Sequence, residues 1–253
     1  MLTKKTKTMR NIKLTIQFDG TLYHGWQTQS GDRTVQQTVQ DVLSQILNSP
    51  IKLHGSGRTD AGVHALGQVA NFLTDSDMNL KRLMKSVNSL LPQDIVVRKT
   101  EEVEPDFNAR FSATSRLYWY LIWNFPEGSP FYCRYSWHIM QPLDVPSMRE
   151  ASQCLKGVND FSSFQGADRE DVKPVREVKA VRLKKAHRHM LIFEIQANAF
   201  LKHMVRNIIG TLAEVGKGKL TADEFKKVLE KRDRGLAGAT APAHGLFLKE
   251  VRY

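Results

Sequence analysis

Apolar residues at every second position mark a strand with one buried face, and apolar residues three or four apart mark a helix. On that basis residues 12–18 form a strand, ended by Asp19 and Gly20, and 21–30 a loop rich in aromatic and amide side chains. Thr34 caps a helix with Gln37 completing a capping box; Val35, Val39, Val42, Leu43, Ile46 and Leu47 make its apolar stripe, and Pro50 bars its continuation. Short strands are expected over 51–53, 68–73 and 95–97, and a helix over 79–91 stopped by Pro92. Residues 115–124 are the longest strand candidate, with Tyr118 and Tyr120 on one face and Leu117, Trp119 and Leu121 on the other. Residues 126–142 read as a loop, and 146–155 as a helix begun by Pro146 and stopped by Gly157. Strands over 175–183 and 189–196 flank a basic turn at 184–188. Helices follow over 200–215 and after Thr221, whose box partner is Glu224, and the final strand covers 245–251.

Strands and helices therefore recur in both halves, which predicts an α/β (α+β) chain with a boundary near 104–115. The organisation expected is a basic tail over 1–10, an N-terminal α/β half over 11–108 and a C-terminal α/β half over 109–253.

Composition changes this picture in two ways. At 253 residues and 41% hydrophobic, the chain has ample material for a core. No apolar run approaches the roughly 20 residues that span a bilayer. The basic N-terminus lacks the apolar segment of a secretory signal, and the two cysteines, Cys133 and Cys154, make neither a metal spacing nor a disulfide framework. No membrane role and a cytoplasmic location are the expectation. Thirty-seven Lys and Arg against 26 Asp and Glu give a net charge of +11, which points to a polyanionic partner, nucleic acid above all. A basic surface with no specific partner is the plainer alternative.

The candidate chemistry lies at 55–65, where Gly55, Gly57 and Gly62 rule out a regular helix and shape a loop. It carries Arg58, Asp60 and His64. A carboxylate on a rigid turn suits a nucleophile or base, and a nearby guanidinium keeps such a carboxylate ionised. The same aspartate could serve only to bond the turn's own amides. There is no phosphate-loop ending and no dinucleotide fingerprint. A metal site using Asp60 and His64 has no second ligand pair, so no metal is expected. Tyr118 is either a packed strand aromatic or, beside Arg116, a platform for an unpaired base. Arg206 lies in an otherwise apolar helix segment; it is solvated or, if buried, needs an anion such as Asp60.

The motif Gly-Arg-Thr-Asp-Ala-Gly-Val-His-Ala over 57–65 resembles the active-site motif of the TruA family of tRNA pseudouridine synthases. Further blocks agree in family order: 18–21 with 23–27, 91–95, 107–111 with 116–120, 160–164, 200–206 and 241–248. Lys202 and Phe18 stand where arginine and tyrosine are common. The resemblance implies a mixed, mainly antiparallel sheet flanked by helices, in two similar α/β halves with a central cleft. It implies isomerisation of uridine to pseudouridine at positions 38 to 40 of the tRNA anticodon arm, without cofactor or metal, by homodimers. By that similarity Asp60 is the nucleophile, Arg58 helps extrude the target nucleotide, Tyr118 stacks on the flipped uracil, Arg206 pairs with Asp60 and Leu246 lines the pocket. The connectors Phe107-Asn108-Ala109-Arg110-Phe111 and Asp168-Arg169-Glu170-Asp171-Val172 are expected to touch RNA. Two other classes remain: a non-catalytic RNA-binding protein or chaperone, and a metal-dependent hydrolase using Asp60 and His64.

Overall fold

The computed structural model describes residues 9–166 and 173–253. They form two compact units, one running to Ala113 and including Tyr253, the other Thr114–Arg252. The expected connector 168–172 lies outside the described residues. No helix among the described residues is long and apolar enough to cross a membrane.

In the first unit β1 (Arg10–Phe18) lies between β3 (His64–Thr74) and β4 (Ile95–Val103), antiparallel to both. Its alternation holds: Ile12, Leu14 and Ile16 are fully buried. β4 runs six residues past the predicted 95–97 because its polar end is held by cross-strand charge. Lys13 meets Glu101 at 3.1 Å and Arg10 meets Glu102 at 2.8 Å, contacts that an apolar pattern cannot reveal. α1 (Val35–Leu47) begins where its Thr34 cap predicts, and α2 (Leu80–Leu90) lies within the expected 79–91, capped by the Asn79 side chain. The α1 box is only half made: the Gln37 amide donates to the Thr34 hydroxyl, but the Gln37 side chain turns to Asp41 at 2.6 Å.

The expected strand at 51–53 does not form. Its backbone is taken by α1 side chains: Ile51 donates to Ser44 Oγ, Leu53 to Gln40 Oε1, and the Leu53 carbonyl accepts from Gln36 Nε2 at 2.7 Å. Only β2 (His54–Gly55) pairs, with Asn71 and Ala70 of β3.

Two asparagines fix the connector at 107–111. Asn71 on β3 donates to Asn11 Oδ1 (2.9 Å) and accepts from the Ala109 amide (2.8 Å), while Asn11 on β1 donates to the Glu104 and Phe107 carbonyls. Tyr253 completes the arrangement: its hydroxyl donates to the Ala109 carbonyl (2.9 Å), its ring lies 4.9 Å from that of Phe107, and the Lys13 ammonium sits over both rings. Asn71 is buried, so Asn71→Ala leaves several polar groups unpaired at once. A stability loss of about 2–4 kcal/mol is expected by urea denaturation, and a loss under about 0.5 kcal/mol would show that the network is dispensable.

In the second unit the strand order is β10 (Leu246–Arg252), β5 (Ser115–Asn124), β9 (Met190–Ala197), β8 (Val175–Lys185), β7 (Gly157–Asp160), each antiparallel to the next. β6 (Trp137–Ile139) adds to the end of β5 in parallel. The sequence pattern predicts loop at β6 and only a helix stop at β7. Both strands are too short for a period to show, and Gly157 at φ +90° ends one element and opens the next. α3 (Val145–Ser152), α4 (Met204–Gly216) and α5 (Ala222–Lys231) complete the unit. α4 starts four residues later than its apolar run suggests, because His203 is left-handed at φ 60° and breaks the spiral. At α5 both halves of the Thr221–Glu224 box are present. The fold is thus mixed α/β, with mainly antiparallel strand pairing flanked by helices.

Candidate active site

The glycine-rich stretch enters from β2 and leaves into β3, and buried polar side chains grip its entrance. Ser56 Oγ donates to Gln68 Oε1 (2.6 Å), Gln68 Nε2 donates to the Gly57 carbonyl (3.0 Å), and the Ser56 amide donates to the Val69 carbonyl (2.8 Å). Asp60 then opens a tight turn in which its carbonyl accepts from the Val63 amide (3.1 Å), with Gly62 at φ +77°. Asp60 is half-buried and Arg58 exposed.

What braces this turn is the segment 19–26, which the sequence suggested only as a strand end and a loop. The Trp26 amide donates to the Thr59 carbonyl (3.2 Å), and the Gly62 amide donates to the Tyr23 carbonyl (3.3 Å). Gly25, at φ +86°, lets the chain pass against the Thr59 carbonyl. Gly20 passes the Val63 carbonyl so closely that no side chain fits. The Gly20 amide donates to His64 Nδ1 (3.1 Å) when the ring carries its proton on Nε2; with Nδ1 protonated, the ring donates instead to Asp19 Oδ1 at 3.0 Å. His64 is therefore a buried clamp on Asp19 and Gly20, and among the described residues no three His, Cys, Asp or Glu side chains gather as a metal site. The signal for this brace was two glycines, and a glycine's need for close approach shows only once its neighbour is known.

The second unit holds the remaining candidates. Tyr118 is half-buried on β5, opposite Leu248 and Ile195, with the Phe200 ring edge-on at 4.9 Å. Tyr120, on the same face, is fully buried; its hydroxyl donates to the Pro242 carbonyl (2.8 Å), and burial pushes its phenol pKa far up against the opposing pull of the Arg206 charge. Leu246 is buried and lies opposite Tyr120, where Gly245 lets the chain pass the phenol ring.

Arg206 is half-buried on the first turn of α4, and its Nε donates to the Ala241 carbonyl at 2.8 Å, while the Ala241 amide donates back to the Arg206 carbonyl. A buried network keeps that segment on the helix. Asn207 Oδ1 accepts from Thr240 Oγ1 (2.7 Å) and Arg234 (3.2 Å), the Gly238 amide donates to Thr211 Oγ1, and Gly210 admits the Ala239 carbonyl. The guanidinium that the sequence left either solvated or anion-bound thus has a backbone carbonyl as a fixed partner. In the connector, Ala109 is buried and Phe107 and Asn108 half-buried, while Arg110 is exposed and Phe111 is 80% exposed.

Residues 14–112 and 151–253 match a family model described as tRNA pseudouridine synthase. The chain is 44% identical over 245 residues to tRNA pseudouridine synthase A of Acetivibrio thermocellus, covering 97% of this chain and 100% of that protein. The enzyme of the same name from Aliivibrio fischeri is 44% identical, with 96% and 92% covered, and that of Geobacter sulfurreducens 42%, with 97% and 100% covered. Among solved structures, the archaeal box H/ACA sRNP Nop10–Cbf5 complex matches at a TM-score of 0.38 and 12% identity, over 80% of this chain and 43% of that one, too distant to bear on the chemistry. Similarity running through both compact units, and through the braced aspartate turn with them, makes the chain a member of the tRNA pseudouridine synthase family.

Proposed function

We propose that the protein is an isomerase that converts uridine to pseudouridine at positions 38, 39 and 40 in the anticodon arm of tRNA, with Asp60 as nucleophile. Asp60 attacks the ribose C1′ or the uracil C6. The N1–C1′ bond breaks, the uracil turns, C5 joins C1′ and the bond to Asp60 breaks again, freeing the carboxylate; C5 loses a proton and N1 gains one. Nothing is added or removed, so the reaction calls for no oxidant, reductant or second substrate. The observation that carries this reading is the near-full-length similarity to the named synthases, with Asp60 inside the matched region.

Arg58, exposed on the approach to Asp60, takes the place of the extruded nucleotide. Tyr118 stacks on the flipped uracil, Leu246 lines its pocket, and Arg206 pairs with Asp60. The connector at 107–111 meets the RNA through Arg110 and Phe111. The protein acts as a homodimer in the cytoplasm.

The test is incubation of purified protein with unmodified tRNA carrying uridines at 38 to 40, in chelator, followed by pseudouridine mapping. Modification at those positions is expected; tight tRNA binding with no pseudouridine would make the protein a non-catalytic binder. Affinity should fall at least roughly tenfold between about 50 and 200 mM salt, because even two phosphate contacts release that many counterions. A flat salt response would leave the +11 charge without this role.

A further inference from the structure

The second unit carries an aromatic and basic corner that the reaction above does not use. β5 ends at Trp123 and Asn124, and the Asn124 amide donates to the His189 carbonyl (2.8 Å), which sets the β8–β9 turn beside this end. Tyr132 stacks on Trp123, ring centres 5.1 Å and planes 28° apart, and the His189 ring lies 3.8 Å from that of Phe125. Phe131, next in the loop, is 82% exposed. The strand and turn over 178–189 hold five Lys or Arg, two His and no Asp or Glu, and all of 184–188 is exposed.

The loop is shaped in advance. Trp123 Nε1 donates to the Glu127 carbonyl (2.9 Å), the Tyr132 and Cys133 amides donate to the Ser129 carbonyl, and Ser136 Oγ donates to the Tyr132 carbonyl (2.9 Å). Lys184 is paired with Glu194 at 2.8 Å, which leaves Lys185, His187 and Arg188 as the exposed basic tip of the turn. Rings held open to water at fixed angles have already met the ordering cost of binding, and next to this excess of positive charge they match the chemistry of base stacking with phosphate contact. A second copy of the chain fits less well. A two-fold contact would bring the same exposed Lys185, His187 and Arg188 up to themselves, whereas a polyanion neutralises them.

We infer that this corner is a second RNA-binding surface, taking an unpaired base and adjoining phosphates of the substrate tRNA outside the anticodon arm; it rests on the function proposed above. The experiment compares full-length unmodified tRNA with an isolated anticodon stem-loop. Lys185→Glu combined with Arg188→Glu should raise the Kd for tRNA about tenfold and lower the log–log salt slope by about 2, since two phosphate contacts go. Phe131→Ala should raise it about fivefold or more with the slope unmoved, because a stacked base and no charge is lost. kcat/KM should fall in step on tRNA and by less than about twofold on the stem-loop. Equal losses on both RNAs, or none on tRNA, would overturn the inference. So would a shift in sedimentation mass with tRNA affinity intact, which assigns the corner to a second copy. Wild-type protein that binds tRNA through this corner but forms no pseudouridine would instead defeat only the proposed reaction.

Discussion

Asp60→Asn is expected to lower pseudouridine formation at least about 10⁴-fold while the Kd for tRNA stays within about twofold. The two side chains have nearly the same shape, and the turn is closed by backbone: the Asp60 carbonyl to the Val63 amide, Thr59 to Trp26, Gly62 to Tyr23. None of these contacts depends on the carboxylate. What goes is a charged oxygen able to form and later release a bond to the nucleotide, which a neutral amide cannot replace. Mapping of pseudouridine after single-turnover incubation is the measurement. A variant retaining a hundredth of wild-type turnover would remove Asp60 from covalent chemistry.

The second large effect is expected away from the reacting atoms. A methyl on Gly20 would lie 2.7 Å from the Val63 carbonyl carbon and nearer still to its oxygen. Both partners are backbone, so neither side can yield by rotating a side chain. Either 19–21 or 60–64 must shift, and the second contains Asp60. Gly20→Ala should therefore cost about 1–3 kcal/mol in stability and, through a displacement near 1 Å, about 10²-fold in kcat with KM little changed. Gly57→Ala is the internal comparison: a methyl there meets nothing within 4 Å, so wild-type kcat is expected although Gly57 is closer in sequence to Asp60. Equal loss in the two variants would mean that the loop needs flexibility rather than a brace.

That contrast marks how far the sequence could be read. Three glycines at 55, 57 and 62 gave one message, a loop, yet only Gly62 is left-handed, Gly55 is pressed against the Trp26 indole, and Gly57 has open space. Composition tells that backbone freedom exists and not which glycine uses it. Elements with their own local physics were legible: the alternation of β1 and β5, the Thr34 cap, and the reciprocal Thr221–Glu224 box. Elements that owe their state to a distant partner were not. Residues 51–53 look like a strand but give their amides to Ser44 and Gln40, and the polar half of β4 is a strand because Lys13 and Arg10 face it. Asp60 stood out in its motif, whereas the bracing of its turn by 19–26 is mostly backbone bonding, and its marks in the sequence, Gly20, Gly25 and His64, take their meaning only from the partners they meet.

Tyr253 has a consequence for how the molecule is made. Its hydroxyl closes on Ala109, 144 positions earlier in the chain. At synthesis rates of roughly 5–20 residues per second, the connector waits about 7 to 30 s for that partner. Through that interval the first unit has its strands and helices but not its final clasp, and Phe107 lacks the ring that packs on it. Ribosome stalling or premature cleavage anywhere in the second unit therefore leaves the first one unlatched, and a protease that samples the connector would distinguish chains that carry Tyr253 from chains that lack it.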